Sequence, residues 1–155
     1  MKVDMADPIA QRTTFSFAPP VDDAAAWGLE LDDFANRLAQ AFPGTETWRV
    51  GASFPRPQEG LGFDMPLGGG TRMEGLVSTP YPQVGAVMAV DATPGEAAVL
   101  ACWLRDRYAP SPNLVHFTSE RALELGVTEH EHVPAIGDVH EIARALQEHL
   151  DEVEA

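Results

Sequence analysis

The sequence predicts an α+β domain: a largely antiparallel sheet of about five to seven strands, with a parallel connection also open, and about three helices. Three observations predict it. A strand–helix–strand unit runs from Val84 to Thr118 and contains the best-marked helix start in the chain. Ahead of it, short alternating apolar runs between Thr47 and Ser78 are separated by Gly- and Pro-rich turns, as in an antiparallel meander. Two further helical stripes, one before the meander and one at the C-terminal end, supply cover for a sheet. With 155 residues, a single domain over 1–155 is the economical organisation. Residues 1–12 are expected to be loosely ordered.

Thr13 to Ala18 alternates, with Phe15 and Phe17 on one side, and reads as a half-buried strand ended by Pro19 and Pro20. The acidic, Ala-rich stretch from Val21 to Gly28 suggests a helical turn carrying Trp27. Leu31, Phe34, Ala35, Leu38, Ala41 and Phe42 form one apolar stripe, predicting a helix from about Glu30 to Phe42 that Pro43-Gly44 stops. Asp32 and Asp33 sit in its first turn, where negative charge suits the helix dipole. Thr47 to Phe54 alternates next, and the expectation is that Trp48, Val50, Ala52 and Phe54 point inward. Leu61, Phe63 and Met65 predict another strand, Leu67 to Thr71 a turn or loop, and Arg72 to Ser78 a strand leading to Val84.

In the central unit, Val84, Ala86, Met88 and Val90 share one face of a strand, and Gly85, Val87 and Ala89 the other. Both faces are apolar, which predicts an interior strand covered on both sides. Thr93, Pro94 and Glu96 then fit N-cap, N1 and N3 of a helix, a capping box in which two side chains satisfy backbone N–H groups. Its apolar positions continue to Tyr108, with Arg105 and Arg107 in the last turn, and Pro110 and Pro112 bar continuation. Val115 and Phe117 lie on one face of the return strand, Leu114 and His116 on the other. A short helical turn from Glu120 to Leu125 ends at Gly126, and Val127 to Val133 alternates as a strand would. The last helix starts near Asp138, with Glu141 as a second capping-box candidate and Val139, Ile142, Leu146, Leu150 and Val153 as its apolar stripe. Glu148, Asp151, Glu152 and Glu154 crowd its end, so fraying is expected after Leu150.

The formal net charge of −14 is the most distinctive global property. Nucleic-acid binding draws much of its affinity from Lys and Arg neutralising phosphates, and anionic membranes attract the same side chains, so both partner classes are disfavoured. No apolar run approaches the roughly 20 residues needed to span a bilayer, and the N-terminus has acids and no apolar signal core. A single cysteine fits a reducing compartment, and the expected location is cytoplasmic. Arg outnumbers Lys nine to one among the basic residues, which with abundant Ala, Gly and Pro suggests a GC-rich bacterial source.

No catalytic motif is present. His130 and His132 share one strand face and are the candidate metal ligands, with Zn²⁺ the natural guest. His116 or His140 would have to supply a third ligand through the fold. Cys102 with His116 would make a nucleophile–base pair, but Cys102 sits mid-helix, where nothing lowers its pKa. Gly68-Gly69-Gly70 with Arg72 lacks any phosphate-loop pattern and reads as a flexible turn. Ser53, Ser78, Ser111 and Ser119 lack a nucleophile elbow. Trp27 with Asp22, Asp23, Glu30 and Asp33 is the candidate partner-binding constellation, an aromatic anchor ringed by acids. The function expected on these grounds is a non-catalytic acidic module binding a basic protein, in its sharpest form an immunity or inhibitor protein neutralising a toxin enzyme. The alternatives are a small metal-dependent or ligand-binding enzyme built on His130 and His132, and a dimeric secretion-type chaperone.

Overall fold

The computed structural model describes residues 11–52 and 58–155, at positions 52, 58 and 59 for the backbone alone. The expectations for residues 1–10, for Ser53 and for Phe54 lie outside the described residues. The strands are β1 (Thr13–Ala18), β2 (Glu46–Ala52), β3 (Gln58–Gly68), β4 (Thr71–Tyr81), β5 (Val84–Ala92), β6 (His116–Ser119) and β7 (Glu131–His132). The helices are α1 (Leu31–Ala41), α2 (Pro94–Trp103), α3 (Glu120–Glu124) and α4 (Val139–Val153). All seven strands form one antiparallel sheet in the order β2-β3-β4-β5-β1-β6-β7, an α+β architecture.

The expected meander is β2-β3-β4-β5. Its middle hairpin turns through Gly69 and Gly70, both at positive φ, which the two-residue turn joining twisted antiparallel strands requires. The central unit is present too. β5 and β6 both pair antiparallel with β1, which lies between them, so they run parallel to each other and α2 bridges a split β-α-β crossover. The capping box of α2 is complete: Glu96 N–H donates to Thr93 Oγ1 at 3.1 Å, and Thr93 N–H to Glu96 Oε1 at 3.0 Å. The helix stays α-helical only to Trp103 and continues as a π-turn from Leu104 to Tyr108. Arg105 explains that departure. It does not sit at a solvated helix end: it is 6% exposed, and its guanidinium donates to the carbonyls of Pro134 and Gly137 at 3.0 and 2.8 Å.

One face of the sheet holds the core. Register rows such as Leu61–Val77–Val87–Phe17–Phe117 and Phe63–Gly75–Ala89 place apolar side chains beneath the helices. Phe34 of α1 stacks on Phe63, Trp103 and Tyr108, and His149 of α4 meets Phe117 edge-on, so α1, α2 and α4 share that face. Gly75 is needed there: a Cβ at this position would lie 2.0 Å from the Phe63 ring. Each large side chain fully buried in this layer contributes roughly 1.5–3 kcal/mol.

Three expectations are corrected. Trp48 and Val50 point away from the core and are 43% and 40% exposed. Their strand is the sheet's edge, and its helix-facing residues are Thr47 and Arg49, opposite Phe63 and Leu61. β5 is interior, but only its Val87 and Ala89 face is covered; Ala86, Met88 and Val90 remain partly exposed because, among the described residues, the helices stack on one side. α4 does not fray after Leu150 but runs to Val153, and Arg121 of α3 binds Glu154 beyond its end. In addition, the predicted strand over Val127–Val133 shrinks to Glu131–His132, and Asp138 caps α4 from its own side chain, accepting from the N–H groups of His140 and Glu141.

Candidate functional site

Trp27 is 6% exposed; its indole N–H donates to the Leu114 carbonyl at 2.6 Å and its ring meets Tyr108 edge-on. It therefore anchors the Val21–Leu29 segment to the core and offers no exposed ring to a partner. The acids expected around it are exposed. Asp22 and Asp23 lie on a 3₁₀ turn (Val21–Asp23), Glu30 is the residue preceding α1, and Asp33 lies in its first turn. Asp33 pairs with Arg37 at 3.6 Å, an exposed pair of little energetic weight, and Asp32 binds Arg49 of β2. Glu30 and Asp32 line a cleft of 580 Å³ whose other wall is the β4–β5 turn, from Thr79 to Gln83. In that turn Gln83 holds φ at +64°, a strained conformation for a non-glycine residue, and bridges to Leu29. Tyr81 lines the cleft and is itself 53% exposed.

The histidines divide between two sides of the sheet. His116 and His132 face each other across β6 and β7 with ring centroids 4.2 Å apart, on the side away from the helices. Partial burial, followed by neighbouring His132 and His130, holds the His116 pKa below its ordinary value, while Asp22 opposes that shift. Among the described residues no group of three His, Cys, Asp or Glu side chains is arranged to hold a metal ion. Cys102 lies on α2, across the sheet from His116, so the nucleophile–base pair is not assembled. Its thiol is pushed up by burial and by the hydrogen bond to Asp106 at 3.5 Å. Gly68 to Gly70 turn a hairpin, and Arg72 is engaged by Asp64 at 2.6 Å and by the Gly44 carbonyl at 2.9 Å.

One constellation escaped the sequence. Ser119 Oγ lies 2.8 Å from His149 Nε2, and His149 Nδ1 lies 2.5 Å from Glu131 Oε2. A carboxylate accepts only, so in the neutral ring Nδ1 carries the proton and Nε2 accepts the Ser119 hydroxyl. That is the connectivity of a nucleophile, a base and an orienting acid. Access is what it lacks. Ser119 and His149 are fully buried, and Ser119 Oγ also accepts the Ala122 N–H at 3.0 Å as the N-cap of α3. The chain of bonds ties β6, β7, α3 and α4 together, and no substrate carbonyl can reach the hydroxyl. The only sequence signal was a histidine one position ahead of Leu150 in an apolar stripe.

Among the described residues, no helix is long and apolar enough to cross a membrane. No known protein family, curated protein or solved structure matches this chain.

Proposed function

We propose that this chain is a non-catalytic, acidic protein-binding module that neutralises a basic protein, with an immunity or inhibitor protein acting on a toxin enzyme as its sharpest form. The observation that carries the proposal is the set of exposed carboxylates of Asp22, Asp23, Glu30 and Asp33, with Glu30 at the mouth of the Tyr81 cleft, in a chain of net charge −14. Such a surface speeds encounter with a cationic partner, and an exposed tyrosine beside carboxylates suits an arginine or lysine side chain. The buried serine–histidine–glutamate chain serves the fold in this proposal. The metal-dependent alternative has no third ligand to recommend it.

The test is capture from a lysate of the source organism on the immobilised protein, washed at low and then moderate salt. The control is a variant carrying Asp22→Asn, Asp23→Asn, Glu30→Gln and Asp33→Asn. A stoichiometric basic protein, released as salt rises and lost from the control, is the expected outcome. An eluate empty at both salts, or a partner that the control retains equally, overturns the proposal.

A further inference from the structure

We infer that the outer edge of β2 receives an extended segment of the basic partner as an added strand. The inference rests on the basic-partner proposal and names where and how such a partner docks. β2 terminates the sheet and pairs only with β3, through a register unbroken from Glu46 to Ala52. Its opposite edge is a ready template for main-chain hydrogen bonds. The other end of the sheet differs: β7 is two residues long, too short to template a strand. β2 has neither proline nor lysine nor a bulge to deter pairing.

Both sides of that edge are shaped for alternating side chains. On the helix side, a groove of 520 Å³ separates β2 from α1, with Asp32, Ala35, Asn36 and Thr47 among its walls. On the opposite side, the Trp48 ring lies over Gly62, whose missing side chain leaves it room, and Val50 pairs with Gly60. Successive residues of an added strand would point alternately into the groove and beside Trp48 and Val50. The groove, walled by Asp32 and Asn36, fits polar or basic side chains; the other set fits aliphatic ones that cover the indole. A second copy of the chain is the weaker occupant, because it would bring −14 against −14 and place Glu46 near its own kind.

The test uses a capped decapeptide alternating Arg and Val, its Glu/Val counterpart, and the Arg/Val peptide N-methylated at alternate residues. Tryptophan emission reports chiefly on exposed Trp48, since Trp27 and Trp103 are buried, and hydrogen exchange locates the site. Saturable binding of the Arg/Val peptide with Kd below about 1 mM, new protection of amides within 46–51, and about tenfold weaker binding of the N-methylated form support the inference. Val50→Lys, an exposed change that leaves the core intact, is expected to weaken binding as well. Equal binding of the N-methylated peptide, or protection elsewhere, overturns strand addition while leaving the basic-partner proposal standing. Binding of the Glu/Val peptide in preference to Arg/Val overturns both. A dimer in sedimentation equilibrium that Val50→Lys dissociates assigns the edge to a second copy and also overturns the inference.

Discussion

His149→Leu is the most informative single change in the core. The imidazole accepts from the buried Ser119 hydroxyl at 2.8 Å and donates to Glu131, while its ring lies against Phe117 at 5.0 Å. Leucine keeps the side chain apolar but strands that hydroxyl, at a cost of about 1–3 kcal/mol. The Glu131 bond adds little, because its side chain is 40% exposed and water replaces the ring. The leucine's own burial offsets part of the loss, so the net is expected near 1–2 kcal/mol, or roughly 2–8 °C in Tm for a chain of this size. Ser119→Ala removes the cap of α3, worth about 0.5–2 kcal/mol, and leaves Nε2 without its donor, a further 1–3 kcal/mol or so. The double variant removes both ends of one bond and should fall short of the summed losses by about 1 kcal/mol. Urea denaturation followed by tryptophan emission measures all three. Losses that add to within about 0.3 kcal/mol would refute the coupled chain. A fluorophosphonate ester is expected to leave Ser119 unlabelled in the folded protein; labelling there would show that the hydroxyl is reachable and that the structural assignment is wrong.

Gly75→Ala and Gly62→Ala make the same chemical change against different neighbours. At Gly75 the new methyl meets the buried Phe63 ring and is expected to destabilise by about 1–3 kcal/mol or more, whereas at Gly62 it meets the Trp48 ring, which is exposed enough to swing aside; similar losses in urea melts would contradict the packing described. Cys102 should react with a disulfide reagent at pH 8 more slowly than a free thiol, because burial and the Asp106 bond raise its pKa, and Asp106→Asn should quicken it severalfold. His116 carries a pKa lowered by folding, so its contribution is fully present above the unfolded value near 6.5 and is lost as pH falls through the folded value. His116→Gln should therefore flatten the decline in stability between about pH 7 and 5 relative to the parent; an unchanged slope would contradict the placement of His116 beside His132 and His130.

Much of the fold was legible because local signals agreed with one another. The Thr93–Glu96 capping box, the Phe34–Leu38 stripe and the alternation around Phe15 and Phe17 each depend on near neighbours, and each forms as expected. The facing of β2 was not legible. Alternation separates Trp48 and Val50 from Thr47 and Arg49, but which set is covered depends on where α1 lies and on the strand being an edge. The π-turn at Leu104–Tyr108 depends on carbonyls supplied from Pro134 and Gly137, about thirty residues away. Ser119, Glu131 and His149 come from three separate elements with no fixed spacing, so only the fold brings them together. The acids at 22–33 were legible as a charged stretch; the cleft that Glu30 and Asp32 share with Tyr81 was not, because its second wall is a distant hairpin turn.

The position of β1 sets an order of events during synthesis. Its two neighbours in the sheet, β5 and β6, start at Val84 and His116, so β1 leaves the ribosome long before either exists. At about 5–20 residues per second, it waits roughly 3–20 s with both edges unpaired. A strand carrying Phe15 and Phe17 in that condition is an aggregation hazard. Asp22 and Asp23 follow it directly, and charges flanking an unavoidable apolar strand hold such segments apart. The acids that face outward in the finished molecule thus have an earlier task, keeping the first strand soluble until the sheet closes around it.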